Sequence, residues 1–320
     1  MTPLLNAIET TYPGAEIDIV SAGPVAKNLL CGRFQVRRII CLSRRIVRHL
    51  PATAACVHRL RSTTYDLAID PCTASNTGHL LLGICRARYK VGLPSAPATI
   101  DLDLPEHLAK RGVHLLRRAL GCPPTSAWPR LDLRLTAQER YQGQDILDHL
   151  LAVDTDPCHA SPKVIGLFAN ATGNKRLPES WWNTLMNRLQ ATRPDISVVE
   201  VLAAHGLSQI PGASCTYYSS DPRKLAAVIS AMQGFVCADC GVMHLAAAVA
   251  TPTLGLFTRA NRNKYAPYGG CNSGLDVVSA ADTGGNDMTQ LSILAWIQQV
   301  VPADNLHPDG PERLQRKEHG

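Results

Sequence analysis

The residues best suited to chemistry lie in two short loops. The segment Ala238-Asp239-Cys240-Gly241-Val242-Met243-His244 follows an apolar run and leads into Leu245-Ala246-Ala247-Ala248. That order describes a strand passing into a helix, where the free N–H groups of the first turn attract an anion. Asp239 stands where an N-cap belongs, Gly241 would let the chain turn tightly, and His244 comes one helical turn further on. The other loop, Phe168 to Pro178, also runs from a strand to a helix and offers Asn170, Thr172, Gly173 and Lys175. Small and amide residues let backbone approach a phosphate, and Lys175 adds a mobile point charge. Each residue alone has a structural explanation, as cap, turn or surface lysine. The combination points to a phosphate or diphosphate ligand.

Cys237-Ala238-Asp239-Cys240 has the spacing of a dithiol redox pair or of half a zinc site, with His244 as a third ligand. Two features oppose that reading. The chain has no second Cys-x-x-Cys, and Cys237 falls in an apolar strand whose alternation buries it. No metal and no cofactor are expected. The eleven cysteines are scattered, odd in number and follow no secretory leader, which points to reduced thiols in a cytoplasm.

Charge is unevenly placed. Residues 1–150 hold 19 lysines and arginines against 12 aspartates and glutamates, whereas residues 151–320 hold 13 against 14. Between Asp18 and Asp66 there is no acid, but there are Arg33, Arg37, Arg38, Arg44, Arg45 and Arg48. Such a face suits a phosphorylated glycan or acidic lipid head groups. A solvated arginine-rich surface is the plainer alternative. Nucleic acid is not expected, because no aromatic residues interleave with the basic ones and no recognised binding module is present. Neither Leu80 to Cys85 nor Leu245 to Phe257 approaches the ~20 apolar residues of a transmembrane helix.

The elements that position these loops alternate. Helices are expected at Leu4 to Tyr12, Thr53 to Arg61, Ser75 to Cys85, Glu106 to Leu120 and, behind a Thr136-Ala-Gln-Glu139 capping box, Thr136 to Leu151. Strands are expected at Glu16 to Val20, Val36 to Leu42, Leu67 to Asp70 and Tyr89 to Gly92. A polar, proline-bearing stretch from Asp154 to Pro162 separates a first domain, residues 1–156, from a second, residues 157–301. The second repeats the pattern with strands at Val164 to Phe168, Ile196 to Val201, Gly234 to Cys237 and Pro252 to Phe257. Its helices fall at Glu179 to Ala191, Asp221 to Met232, Val242 to Val249 and Thr289 to Val301. Residues 302–320 read as a disordered tail. The fold class is α/β, with two doubly wound parallel sheets facing a cleft.

Asp239 to Ala248, followed by Ala-Thr-Pro-Thr-Leu-Gly-Leu-Phe at 250–257 and Ala-Pro-Tyr-Gly at 266–269, resembles the donor-site signature of bacterial lipopolysaccharide heptosyltransferases, glycosyltransferase family 9. Asn174-Lys175-Arg176-Leu177-Pro178 resembles the family's Lys-Arg-Trp-Pro element. Tyr65 to Asp70 and Tyr89 to Gly92 resemble parts of its acceptor domain. The resemblance implies a GT-B architecture of two Rossmann-like domains and an inverting, metal-free glycosyl transfer. The donor would be a nucleotide sugar such as ADP-heptose, and the acceptor an anionic glycolipid reached from the cytoplasm at the inner leaflet of the membrane. Lys175 would steady the departing diphosphate. Asp239, Cys240 and Gly241 would cradle phosphate, His244 would orient that loop or touch the phosphate, and Asn170 and Thr172 would add polar contacts.

Departures from the family's pattern carry expectations of their own. Thr2-Pro3 matches the start of the helix that follows the family's first strand, so that strand and the Gly-Asp loop bearing the catalytic base have no counterpart. The first sheet would lack a central member, through a misassigned start at Met1 or because the gene is a remnant that binds the donor without transferring it. Cys240 replaces a Thr or Ser, and Phe257-Thr258-Arg259-Ala260-Asn261 replaces a Gly-Pro-Thr stretch. The region Leu202 to Gly206 holds no acid to grip the donor ribose.

Overall fold

The computed structural model describes residues 1–42, 50–71, 75–92, 104–122, 127–152, 162–171, 173–277 and 283–303. The first block consists of α1 (Thr2–Thr11), β1 (Ile17–Ser21), α2 (Val25–Leu30), β2 (Val36–Cys41), α3 (Leu50–Ser62), β3 (Thr64–Ile69), α4 (Asn76–Ile84), β4 (Arg86–Val91) and α5 (Leu108–Ala119). β1 pairs in parallel with β2, and β3 with β4. Among the described residues no ladder joins the two pairs. Side chains bridge them instead: Tyr65 of β3 donates its hydroxyl to Asp18 Oδ2 of β1 at 2.9 Å. α1 lies against α5, where Leu4 packs with Val113, Leu116 and Trp128.

The second block begins with α6 (Ala137–Leu150) and β5 (Lys163–Phe168), then α7 (Glu179–Thr192), β6 (Ile196–Val201), β7 (Cys215–Tyr217) and α8 (Pro222–Ser230). It continues with β8 (Gly234–Ala238), α9 (Gly241–Ala248), β9 (Thr253–Phe257), α10 (Arg262–Tyr265), β10 (Ser273–Asp276) and α11 (Thr283–Val300). Six strands make one parallel sheet in the order β10-β9-β8-β5-β6-β7. β8 and β9 are buried along their whole length, as strands covered on both faces must be. In β5, Val164 and Phe168 join one core layer with α6, α8 and α9, while Ile165 and Leu167 join the other with α7 and α11. That alternation is the two-residue period of a strand.

Core membership does not follow the domain boundary expected at residue 156. α6 precedes it, yet Leu133, Leu135 and Leu147 belong to the core of the six-stranded sheet. Gly143 of α6 packs so closely on Ala227 of α8 that any side chain there would strike the Ala227 backbone. The expected capping box is present: Glu139 N donates to Thr136 Oγ1 at 3.1 Å and Thr136 N to Glu139 Oε2 at 2.7 Å. The short elements α2, β7, α10 and β10 were not expected, since three to six residues carry too little periodicity to show in a sequence. From residue 304 onward the expected tail lies outside the described residues.

Glu139 also receives Arg223 of α8 in a bidentate pair, Nε to Oε1 at 2.6 Å and Nη2 to Oε2 at 2.9 Å. The same guanidinium donates to the carbonyls of Leu29 (2.8 Å), Leu133 (3.1 Å) and Arg134 (3.3 Å). The bond from Arg223 outweighs burial and holds the Glu139 carboxyl at about 2. A depressed carboxyl stabilises the fold above its ordinary range, and that contribution fades as pH falls from there towards about 2. Glu139→Gln should therefore cost about 2 kcal/mol in urea unfolding at neutral pH, the scale of a charge-assisted hydrogen bond. Its deficit relative to the parent should shrink in the same measurement repeated at acid pH.

Candidate functional site

In the six-stranded sheet the chain runs outward from β5 in one direction to β7 and in the other from β8 to β10. β5 and β8 therefore flank the topological switch point, outside whose carboxyl ends ligands bind in open α/β sheets. The two loops picked out by residue type leave these same two strands, whose ends are in register at Phe168 and Cys237.

Lys175 stands at the end of a short 3₁₀ turn, Gly173–Lys175, and its Nζ lies 2.7 Å from Asp239 Oδ2. Asn261 Nδ2 donates to the same oxygen at 3.2 Å. Asp239 is thus not the helix cap expected of it. Cys240, in extended conformation, is the N-cap of α9, which leaves the Asp239 carboxylate free to hold the lysine. Gly241 differs from expectation too. Its φ is not among the positive ones, so the turn does not require glycine. Nothing lies within 4 Å of where its Cβ would stand, so the start of α9 is open to close approach.

His244 is half-buried on the first turns of α9. Burial lowers its pKa, and the neighbouring His107 and Lys175 add to this against the pull of Asp239. The imidazole is neutral at physiological pH and sits within the field of Lys175 and Asp239. His107 comes from the first block. Its Nδ1 accepts from Ala109 N at 3.1 Å, so its Nε2 carries the proton and donates to Ala266 O at 2.9 Å. With Lys110, Trp128, Arg130 and the Pro267–Gly270 turn it lines a cleft of about 400 Å³.

Other expected site residues fare differently. Asn170 is buried, and its Oδ1 accepts from His205 Nε2 at 3.1 Å and from Gln209 Nε2. Its amide oxygen is engaged in holding the 202–210 loop, while its buried Nδ2 has no hydrogen-bond partner among the described residues. Thr172 lies outside the described residues, as do Arg44, Arg45 and Arg48. The described arginines are not a free cationic face. Arg37 and Arg38 both grip Asp18, at 2.8 and 2.9 Å, and Arg37 also meets Glu16 at 2.5 Å. Burial raises the Asp18 pKa, but bonds from Arg37, Arg38 and Tyr65 outweigh it and hold it at about 2. Arg33 stands away from them, 3.6 Å from Glu139. Strand pairing brings β1's acid beside basic residues that are separated from it along the chain. Among the described residues no group of three or more His, Cys, Asp or Glu gathers as metal ligands would. No described helix is long and apolar enough to cross a membrane.

Three residues escaped the sequence reading. Glu200, fully buried at the end of β6, accepts from Ser208 Oγ at 2.5 Å and Gln209 N at 2.8 Å, and so fixes the loop beside Asn170. A lone acid in an apolar strand was the available signal. Asn261 and His107 carry no local signal, because their partners are distant in the chain.

Residues 222–280, which include the Asp239–His244 loop, match the family described as glycosyltransferase family 9 (heptosyltransferase). Over these residues the chain is similar to that heptosyltransferase family. Heptosyltransferases and their relatives also share its fold. E. coli heptosyltransferase WaaC with ADP superposes with a TM-score of 0.64 at 18% identity, over 93% of this chain and 94% of that one. A family 9 glycosyl transferase from Veillonella parvula gives 0.73 at 15% identity, over 93% and 92%. E. coli ADP-heptose lps heptosyltransferase II gives 0.63 at 17% identity, over 93% of each. No curated protein sequence matches the chain. The fold is therefore the GT-B arrangement of parallel sheets that the heptosyltransferase resemblance implies.

The neutral His244 gives a direct check. In a proton NMR titration of the ring, identified by its loss in His244→Gln, the midpoint should fall below the ordinary 6.5. It should move upward when a diphosphate is added, since an anion stabilises imidazolium.

Proposed function

We propose that this protein is a glycosyltransferase of the heptosyltransferase family, which binds a nucleotide-sugar donor at the Lys175–Asp239–His244 cluster, with ADP-heptose as the donor, and transfers the sugar to a lipopolysaccharide core or related glycolipid. One observation carries the reading: both phosphate-suited loops leave the two strands that flank the switch point, and a lysine is held at the open helix start. In the transfer, an acceptor hydroxyl oxygen attacks the anomeric carbon from the face opposite the diphosphate. The bond from that carbon to the phosphate oxygen breaks, its electron pair leaves with the nucleoside diphosphate, the hydroxyl proton passes to solvent water, and configuration inverts. Lys175 and the first N–H groups of α9 meet the charge that grows on the leaving group, an electrostatic role that needs no metal. Neutral His244 donates to a phosphate oxygen or orients the loop. The acceptor enters from the side of His107, Lys110 and Arg130. Arg33, Arg37, Arg38 and the three further arginines at 44, 45 and 48 remain our proposed anion-binding face towards acceptor and inner leaflet, the described ones acting through the outer side of their carboxylate pairs. The protein works in the cytoplasm, peripheral to that leaflet, on the domains 1–156 and 157–301.

No described side chain is assigned as the base that takes the hydroxyl proton. The carboxylate at the site, Asp239, is already held by Lys175 and Asn261, which favours a second reading in which the donor is bound but not used.

Calorimetry with ADP tests the site. Lys175→Ala should weaken binding by about tenfold to a hundredfold, the loss of one charge-assisted contact. An unchanged affinity would remove Lys175 from the site, and no ADP binding by the parent would remove the donor reading. Release of ADP from ADP-heptose in the presence of an inner-core lipopolysaccharide acceptor separates the two readings: turnover supports the transferase, and binding without turnover the donor-binding protein.

A further inference from the structure

The thiols of Cys237 and Cys240 are not used by the reading above, yet they bracket Asp239. Cys237 lies one residue before the end of the core strand β8 and is fully buried, whereas Cys240, the N-cap of α9, is partly exposed. Their sulfurs are 3.5 Å apart. A disulfide needs about 2.05 Å, so a small inward shift of one sulfur closes the bond.

We propose that Cys237 and Cys240 are a redox modification site, joined reversibly by a hydroperoxide, and that the bond closes the diphosphate cradle at the start of α9. The closing half of this proposal rests on the donor reading.

The two sulfurs differ as an attacking and a resolving thiol must. The Cys237 thiol beside it, with the N–H groups of Met243 and Val242, holds the Cys240 thiol below its usual range despite burial. Burial drives the Cys237 thiol well above it. Thiolate character and access decide which cysteine meets an oxidant first. The Cys240 thiolate attacks the terminal oxygen of a hydroperoxide, the O–O bond breaks, and an alcohol or water leaves, giving a sulfenic acid. The Cys237 sulfur then attacks the Cys240 sulfur and expels hydroxide, which takes the Cys237 proton. Two thiols and one hydroperoxide give one disulfide, one alcohol or water, and a further water. A dithiol reductant reverses it by exchange.

The consequence for the site follows from connectivity. Asp239 lies inside the four-residue loop the bond would close, and Asp239 is what holds Lys175. Drawing Cys240 towards β8 moves the cap away from the helix start and shifts the lysine's anchor with it.

The test uses the unaltered chain, treated with hydrogen peroxide, alkylated and digested. A peptide with Cys237 bonded to Cys240 is expected, released by dithiothreitol. If both are recovered alkylated, or paired with other cysteines, the proposal is overturned. In Cys237→Ala the resolving thiol is gone, and dimedone should label Cys240 after peroxide; a label elsewhere but not on Cys240 overturns its role as the attacking thiol. ADP affinity, measured before oxidation, after it and after reduction, should fall by about tenfold and recover, as for one lost charge-assisted contact. A mapped disulfide with unchanged affinity overturns the closing of the cradle. If the reduced protein binds no ADP, the donor reading falls and the closing falls with it, while the disulfide itself is still decided by mass.

Discussion

Arg223 binds the two blocks of this chain together. Its guanidinium reaches α2 through the Leu29 carbonyl, the segment before α6 through Leu133 and Arg134, and α6 itself through Glu139. A largely buried guanidinium is costly unless each donor is met. Here one bidentate carboxylate and three carbonyls meet them. The geometry of the planar fork leaves little choice in where α2 and α6 can stand relative to α8. Gly143 against Ala227 gives the same answer by packing. Because α8 leads directly into β8, the strand that ends at Ala238 just before Asp239, the position of the site's loop depends on this junction.

Much of the fold was legible in the sequence because its signals are local. Thr136-Ala-Gln-Glu139 caps α6 as such a box should, and the apolar runs at 164–168 and 234–237 are the fully covered strands β5 and β8. What was not legible depends on distance in space. Arg37 and Arg38 read as a cationic face because no acid is near them in sequence, but β1 lies beside β2 in the sheet and brings Asp18 to them. Asp239 read as a cap because acids commonly precede helices. The cap went instead to Cys240, and only the fold reveals that Lys175, many residues upstream, was the carboxylate's partner.

The pair between Lys175 and Asp239 explains why a carboxylate stands at a site suited to a diphosphate. A lysine on a loop is a flexible stem whose charge wanders, and ordering it at the moment of binding costs side-chain entropy. Asp239, itself fixed by Asn261, bears that cost in the folded state. The net charge left for an incoming anion is then small at the pair itself. It must be supplemented by the dipole and the first-turn N–H groups of α9. The space above Gly241 lets an anion reach those groups, which makes glycine useful there for access and not for its backbone freedom.

The two histidines divide the work along the same line. His107 has both ring nitrogens committed, one to the backbone of α5 and one to Ala266, and so links the first block to the turn that follows α10. It is a structural link across the cleft, and its imidazole has no nitrogen left for chemistry. His244 is kept neutral by burial and by cations around it, and a neutral ring can still donate one hydrogen bond without adding charge. An arrangement of one fixed lysine, one neutral donor and an open helix start recognises an anion mainly by directed hydrogen bonds. Under the proposed reading, such a site would tell a diphosphate from a simple counter-ion by shape, because the donors are placed before the ligand arrives.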